Sequence, residues 1–450
     1  MGEKIVNRRE GFFKTVVGIA LPVTLQSLLQ SSFSVVDQMM IGRLGSGSIA
    51  GVGLGGKFSS LYSVLLAAIA AAAGIMIAQY VGQRDEREVS RSFLTNMVFA
   101  AGLAAVFMGL CILFPEKIMQ IYTQDGETGR IAAGYLRILA VSYLPAAVVS
   151  MTATLLRCMG GAMFPLYASI AGAVLNTGLN YLLIFGKAGF PELGVRGAAI
   201  ATVISQFAAC ILTVWFFFIH YRKQDLRLVF LWRLDGERKK QFFGILCPII
   251  FCEFFWSLGE NVYTAIYGNI GTDACAAMTL TVPIQTLLIG ALSGLSQAAG
   301  IIIGKSLGGK EYGKAYEESK KLMFYGICGS LILSAALLAT GKYYIGLYNV
   351  EPEVRRAACQ ILAAFAVVAP VKVENMILGG GIIRSGGKTK YIMCIDFIGT
   401  WFFGVPLGLL SAFVCKWPIA YVYFALSLEE CVRFGISWII FRKKIWMKSL

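Results

Sequence analysis

The residues able to do chemistry in this chain are few, and most of them sit in apolar surroundings. Asp37 stands alone near the end of an apolar run, Asn176 and Asn180 lie one helical turn apart on one face of another, and Thr202 opens a third. An ionised carboxylate in hydrocarbon costs roughly 2.5–3.5 kcal/mol, so Asp37 needs a partner or a proton. One carboxylate among amide and hydroxyl oxygens suits a hard monovalent cation, Na⁺ at Asp37, Asn176 and Asn180, or a proton with hydrogen-bond partners. The plainer alternative is packing, with the amides bonding helix to helix and Asp37 meeting an interhelical donor.

A second set lies in the other half of the chain. Glu253 and Glu374 fall at similar depths in two apolar runs, and two nearby carboxylates facing a cavity would store a proton or attract a cationic solute. Lys372 could instead neutralise Glu374, and Glu260, two turns beyond Glu253, is a rival to it. Trp256, Tyr263, Tyr267 and Met278 would suit an adaptable wall against flat cations, or serve simply as core. Gln285 and Gln297 are polar in an apolar run and face either a cavity or another helix. Glu429, Arg433 and Asp396 read as a structural ion-pair group, Arg157 and Arg384 as anchors of inner loops, and His220 as an interfacial residue.

The elements that must position these residues are membrane helices. Over 450 residues the chain is 57% hydrophobic and 14% charged, with a mean hydropathy of +0.70, which excludes a water-soluble globular chain and a disordered one. Cutting at charge, Gly and Pro clusters leaves twelve spans: 14–40, 52–81, 92–113, 131–156, 164–186, 197–219, 242–268, 276–304, 320–340, 356–383, 391–413 and 418–441. The basic start runs straight into a span longer than a signal peptide's apolar core, so the first span is expected to stay as an anchor. Most of the 40 Lys and Arg fall in the tails and alternate loops, which by the positive-inside rule puts both termini in the cytoplasm. The net charge of +15 is therefore topological and argues against nucleic acid as a partner. Its densest stretch, within a basic linker over 222–241, also favours anionic lipid headgroups.

Sliding the chain on itself by 226 residues lays Gly18 and Pro22 on Gly244 and Pro248, then Gly42, Gly74 and Gly82 on Gly268, Gly300 and Gly308. One more residue lays Arg157 and Gly160 on Arg384 and Gly387. The halves, 1–221 and 242–450, thus carry six spans each in one orientation, which predicts two six-helix lobes related by a pseudo-twofold along the membrane normal. The matched prolines suggest helix bends.

At these residues the chain resembles the multidrug and toxic compound extrusion (MATE) family. The resemblance covers the whole chain: Leu21-Pro22, Val36-Asp37, Ile41-Gly42-Arg43-Leu44-Gly45, Asn176 with Leu183-Ile184-Phe185-Gly186, and Gly197 through Thr202, then Trp256-Ser257-Leu258-Gly259, Tyr267-Gly268 and Arg384-Ser385-Gly386-Gly387. It implies export of organic, often cationic compounds against inward flow of Na⁺ or H⁺. It also implies a cation site in the first lobe at the residues matching Asp37 and Asn176, and coupling acids in the seventh and tenth spans. Many members carry Asp where this chain has Asn180, which leaves the coupling ion open.

Those readings predict a membrane antiporter of the plasma (inner) membrane that takes a small organic substrate, without an enzyme's chemistry, a cofactor, a bound metal or an obligate protein partner. There is no Gly-x-x-x-x-Gly-Lys-Ser/Thr for ATP, and one His with 11 scattered Cys suits neither a metal site nor an interfacial enzyme. The alternative is a lipid-linked oligosaccharide flippase of the same wider superfamily, which would require a basic cavity.

Overall fold

The computed structural model describes residues 2–223, 236–348 and 350–450. Most of the 222–241 linker lies outside the described residues. The fold is all-helical, 89% helix without strands among the described residues. The helices are α1 (Gly2–Gly42), α2 (Ser46–Gln83), α3 (Glu86–Leu113), α4 (Gly126–Cys158), α5 (Met163–Phe185), α6 (Gly194–Lys223), α7 (Gly236–Ile270), α8 (Thr272–Gly308), α9 (Tyr312–Gly346), α10 (Pro352–Ile383), α11 (Thr389–Val414) and α12 (Ile419–Ser427 continued by Glu429–Arg442).

Among the described residues the first eleven are long and apolar enough to cross a membrane. The twelfth expected span is present in α12 but is broken at Leu428 into two pieces, each too short to cross by itself. Lipid offers no hydrogen bonds to a bare backbone, so each crossing segment must satisfy its own peptide groups as a helix. The ends are fixed by local chemistry. Asp85 caps α3 by accepting from the backbone N–H of Arg87 and Glu88, each at 3.1 Å, and Gly186 closes α5 in the left-handed region at φ +63°.

The chain divides into two compact units, one of residues 25–77 and 85–235, the other of 1–24, 78–84 and 236–450. This division differs from the sequence repeat at two places, since residues 1–24 and 78–84 group with the second half. Within that unit the end of α2 lies against α8 with no room for side chains at Gly82 or Gly308, which face the Lys305 and Gln79 carbonyls. The Gln79 amide donates to the Ser385 carbonyl (2.6 Å) and accepts from the Leu450 N–H (2.7 Å).

The second half departs from regular α-helix in three places, with π-helical turns at Met376–Ile383, Ile398–Gly404 and Leu410–Val414. Such turns are rare and frequent at functional sites. They flank the residues described next.

Candidate functional site

In the first repeat α5 and α6 touch backbone to backbone, because a Cβ at Gly197 would lie 2.5 Å from the Leu183 carbonyl oxygen. That approach carries Thr202 to Asn176, whose amide donates to the hydroxyl at 3.3 Å. One turn along, the buried Asn180 donates to Asp37 Oδ1 at 2.7 Å and to Asn176 Oδ1 at 3.2 Å. With its N and O exchanged, the Asn176 amide instead reaches both Asp37 oxygens, at 3.1 and 3.2 Å. Asp37, Asn176, Asn180 and Thr202 thus form one cluster from α1, α5 and α6, with a single carboxylate among amide and hydroxyl groups. Such a set can hold a small cation or hydrogen-bond a protonated acid. Tyr135 of α4 lies near the cluster, within electrostatic reach of Asp37. Nothing in the sequence patterning singles it out, since one tyrosine in an apolar helix is ordinary.

The second repeat does not bring its predicted residues together. Glu253 and Trp256 of α7 line a cavity of about 280 Å³ whose wall carries three acids, Glu253, Asp396 and Glu430, and three bases, Lys372, Arg384 and Arg433. Glu374 lies elsewhere, 3% exposed between α9 and α10, with both oxygens unpartnered and Oε1 2.5 Å from where a Cβ at Gly326 would stand. Lys372 turns to Glu430 (3.8 Å) and not to Glu374. Tyr263 donates to Glu429, while Tyr267 and Met278 are buried in the hydrophobic core of that unit. Gln285 donates to Thr281 (3.0 Å) and accepts from Tyr423 (3.0 Å), and Glu260 is exposed.

Around the cavity, Arg433 bridges Glu429 (3.3 Å), Asp396 (3.8 Å) and Glu430 (4.0 Å) and donates to Thr400. The Cys252 thiol donates to Asp396 at 2.7 Å. Glu253 and Arg384 form no hydrogen bond or ion pair among the described residues, and Arg384 Nε is buried without a partner. Arg384, expected to anchor an inner loop, reaches the cavity from the end of its helix, just before the Gly386–Gly387 turn. The described residues hold no cluster of three His, Cys, Asp or Glu able to bind a metal ion.

A family model for MatE matches residues 22–182 and again 248–410, two copies that begin at the same 226-residue shift as the repeat. The chain belongs to the MatE family. As a MatE protein it is a multi-pass membrane transporter. It is similar to the "Uncharacterized transporter YisQ" of Bacillus subtilis, 23% identical over 97% of this chain and 95% of that one. It is also similar to the "Probable multidrug resistance protein NorM" of Thermotoga maritima, 25% identical over 96% and 90%. Two solved structures share the MatE fold. A Vibrio cholerae MATE transporter matches with a TM-score of 0.87 at 18% identity, over 97% of each chain. A MOP superfamily transporter from Pyrococcus furiosus, described by the reverse polarity of its binding pocket, matches with a TM-score of 0.86 at 17% identity, over 96% and 95%.

Proposed function

We infer that this MatE protein is a secondary antiporter that exports organic, often cationic compounds in exchange for Na⁺ or H⁺. The observation that carries this reading is the Asp37 cluster, where the carboxylate of a membrane helix accepts from Asn180 at 2.7 Å beside Asn176 and Thr202. An ion or proton bound there can drive transport only if it binds one state of the protein more tightly than the other, and that differential affinity is what couples it to a second ligand. The NorM relatives, called probable multidrug resistance proteins, support the multidrug side of the reading. Glu253 and Glu374 are the candidate coupling acids of the second half, with Trp256 on the cavity wall as a platform for a flat cation. The halves 1–221 and 242–450 act as the two lobes, joined by the 222–241 linker, in the plasma membrane with both termini cytoplasmic. A lipid-linked oligosaccharide flippase would call for a cavity dominated by arginines, and the three acids on this one favour export over it.

The test is uptake of a fluorescent organic cation into inside-out proteoliposomes under separately imposed Na⁺ and H⁺ gradients, for the native chain and Asp37→Asn. Uptake driven by one gradient and lost in the variant is the expected result, and it names the ion. Equal uptake by both proteins would overturn the assignment of Asp37, and no uptake under either gradient would return weight to the flippase.

A further inference from the structure

The two repeats differ at one polar junction, and the difference describes a ligand. In the first repeat the Gln26 side chain fills the space between two helices: its oxygen accepts from the buried Arg157 at 2.7 Å and its nitrogen donates to Ser169 at 2.7 Å. The 226-residue shift places Cys252 at the position of Gln26. With one more residue, Arg384 and Asp396 stand at the positions of Arg157 and Ser169. A thiol is too short to span that gap. Cys252 reaches Asp396 only, Arg384 is left without an acceptor, and the cavity of about 280 Å³ opens where the amide would lie.

We propose that this cavity binds a small zwitterion whose oxyanion meets Arg384 and whose ammonium meets Glu253 and Asp396, in the place that Gln26 fills in the first repeat. The missing amide offered one acceptor toward the arginine and one donor toward the opposite helix, so a ligand completing the junction must offer the same pair. Here the groups facing it are an arginine and two carboxyls, which favours an ammonium and an oxyanion over a neutral amide. Lone charges fit worse. Arg433 and Lys372 are already engaged by Glu429, Asp396 and Glu430, and Glu253 and Arg384 act on each other without an ion-pair contact, so a simple cation or a simple anion would meet one of that pair and leave the other unmatched. The volume leaves room for a small organic solute. An amino-acid-type solute and a phosphatidylethanolamine headgroup share this chemistry. The proposal rests on the export reading only in treating the ligand as cargo.

Equilibrium binding to the purified full-length protein, with no gradient imposed, tests it with three probes of one skeleton: tritiated L-phenylalanine, phenethylamine and 3-phenylpropionate. Phenylalanine is expected to bind at least tenfold more tightly than either singly charged probe. Arg384→Gln should remove that preference over phenethylamine. Cys252→Gln, which restores the amide of the first repeat, should abolish phenylalanine binding while the thermal midpoint holds or rises. Should Arg384→Gln fail to fold, Glu253→Gln must instead erase the preference over 3-phenylpropionate. Competition by phosphatidylethanolamine in the micelles supports the site and names the headgroup as its occupant; its absence, with phenylalanine bound, names a soluble solute. Phenethylamine binding as tightly as phenylalanine, no phenylalanine binding at millimolar concentration, or unchanged binding in Cys252→Gln would each overturn the proposal. Loss of gradient-driven uptake in Asp37→Asn with phenylalanine binding intact would separate the two readings.

Discussion

The two repeats share a frame and a set of polar positions, yet they distribute charge in opposite ways. In the first, one carboxylate sits on the first helix of the repeat, Asp37, and its partners on the fifth and sixth helices are neutral: Asn176, Asn180 and Thr202. In the second, the same shifts put Tyr263 at the place of Asp37 and Glu429 at that of Thr202, so the acid has changed helices, and the two positions, linked through Asn176 and Asn180 in the first repeat, are hydrogen-bonded directly in the second. Arg433 then balances that acid and draws in Asp396 and Glu430. One repeat therefore keeps a lone acid that only a mobile cation or proton can balance. The other balances Glu429, Asp396 and Glu430 with Arg433 and Lys372, keeps Glu374 buried without a partner, and leaves Glu253 and Arg384 facing the cavity. A duplicated frame constrains where polar groups can be placed, but not their charge, so one copy can serve an ion while the other is open to a larger ligand.

Five substitutions break or sharpen this contrast. Asp37→Asn should abolish gradient-driven export while the protein still inserts and melts normally, whereas Glu253→Gln should lower it only a few-fold; transport rates in proteoliposomes give both, and equal losses would erase the division of labour. Gln26→Cys writes the second repeat's residue into the first and leaves the Arg157 guanidinium without its acceptor. It should cost about 2–3 kcal/mol, the range for a buried hydrogen bond to a charged group, in denaturant titration of the purified protein. An unchanged stability there would mean that the junction is not structural and would weaken the parallel. Tyr263→Phe removes the hydroxyl that donates to Glu429 but leaves Arg433 in place, so a loss of about 1 kcal/mol is expected by the same measurement. Thr202→Val, which deletes a single acceptor of the Asn176 amide, should cost about 0.5–1 kcal/mol and change the ion concentration for half-maximal transport more than the melting midpoint.

Much of the Asp37 cluster was legible in the sequence. Asp37, Asn176, Asn180 and Thr202 lie at matched depths because length along a membrane helix converts to depth at about 1.5 Å per residue, and the bilayer fixes the origin. The second-half residues shared depth as well, and there the same arithmetic was not enough. Glu374 and Glu253 stand at similar heights but open on different neighbours, the first against Gly326 of α9 and the second on the cavity. Tyr135 escaped notice, and Arg384 was read only as a loop anchor, for the same reason. A signal for Arg384 did exist: the shift that pairs it with Arg157 also pairs Cys252 with Gln26, and a long amide exchanged for a short thiol beside an arginine marks a gap.

Composition and apolar run length by themselves determined that this is a membrane chain, and the self-similarity at 226 residues determined that it is a doubled six-span repeat. Both follow from solvent: in hydrocarbon only helices satisfy the backbone, so the run lengths are the architecture. The tertiary structure decided which acids meet, which are neutralised and where space remains. Those depend on rotation about each helix axis, which turns by about 100° with every residue and shifts again at each π-helical turn. Sequence reports depth along the membrane normal with little loss; the facing of a side chain is settled only when neighbouring helices pack.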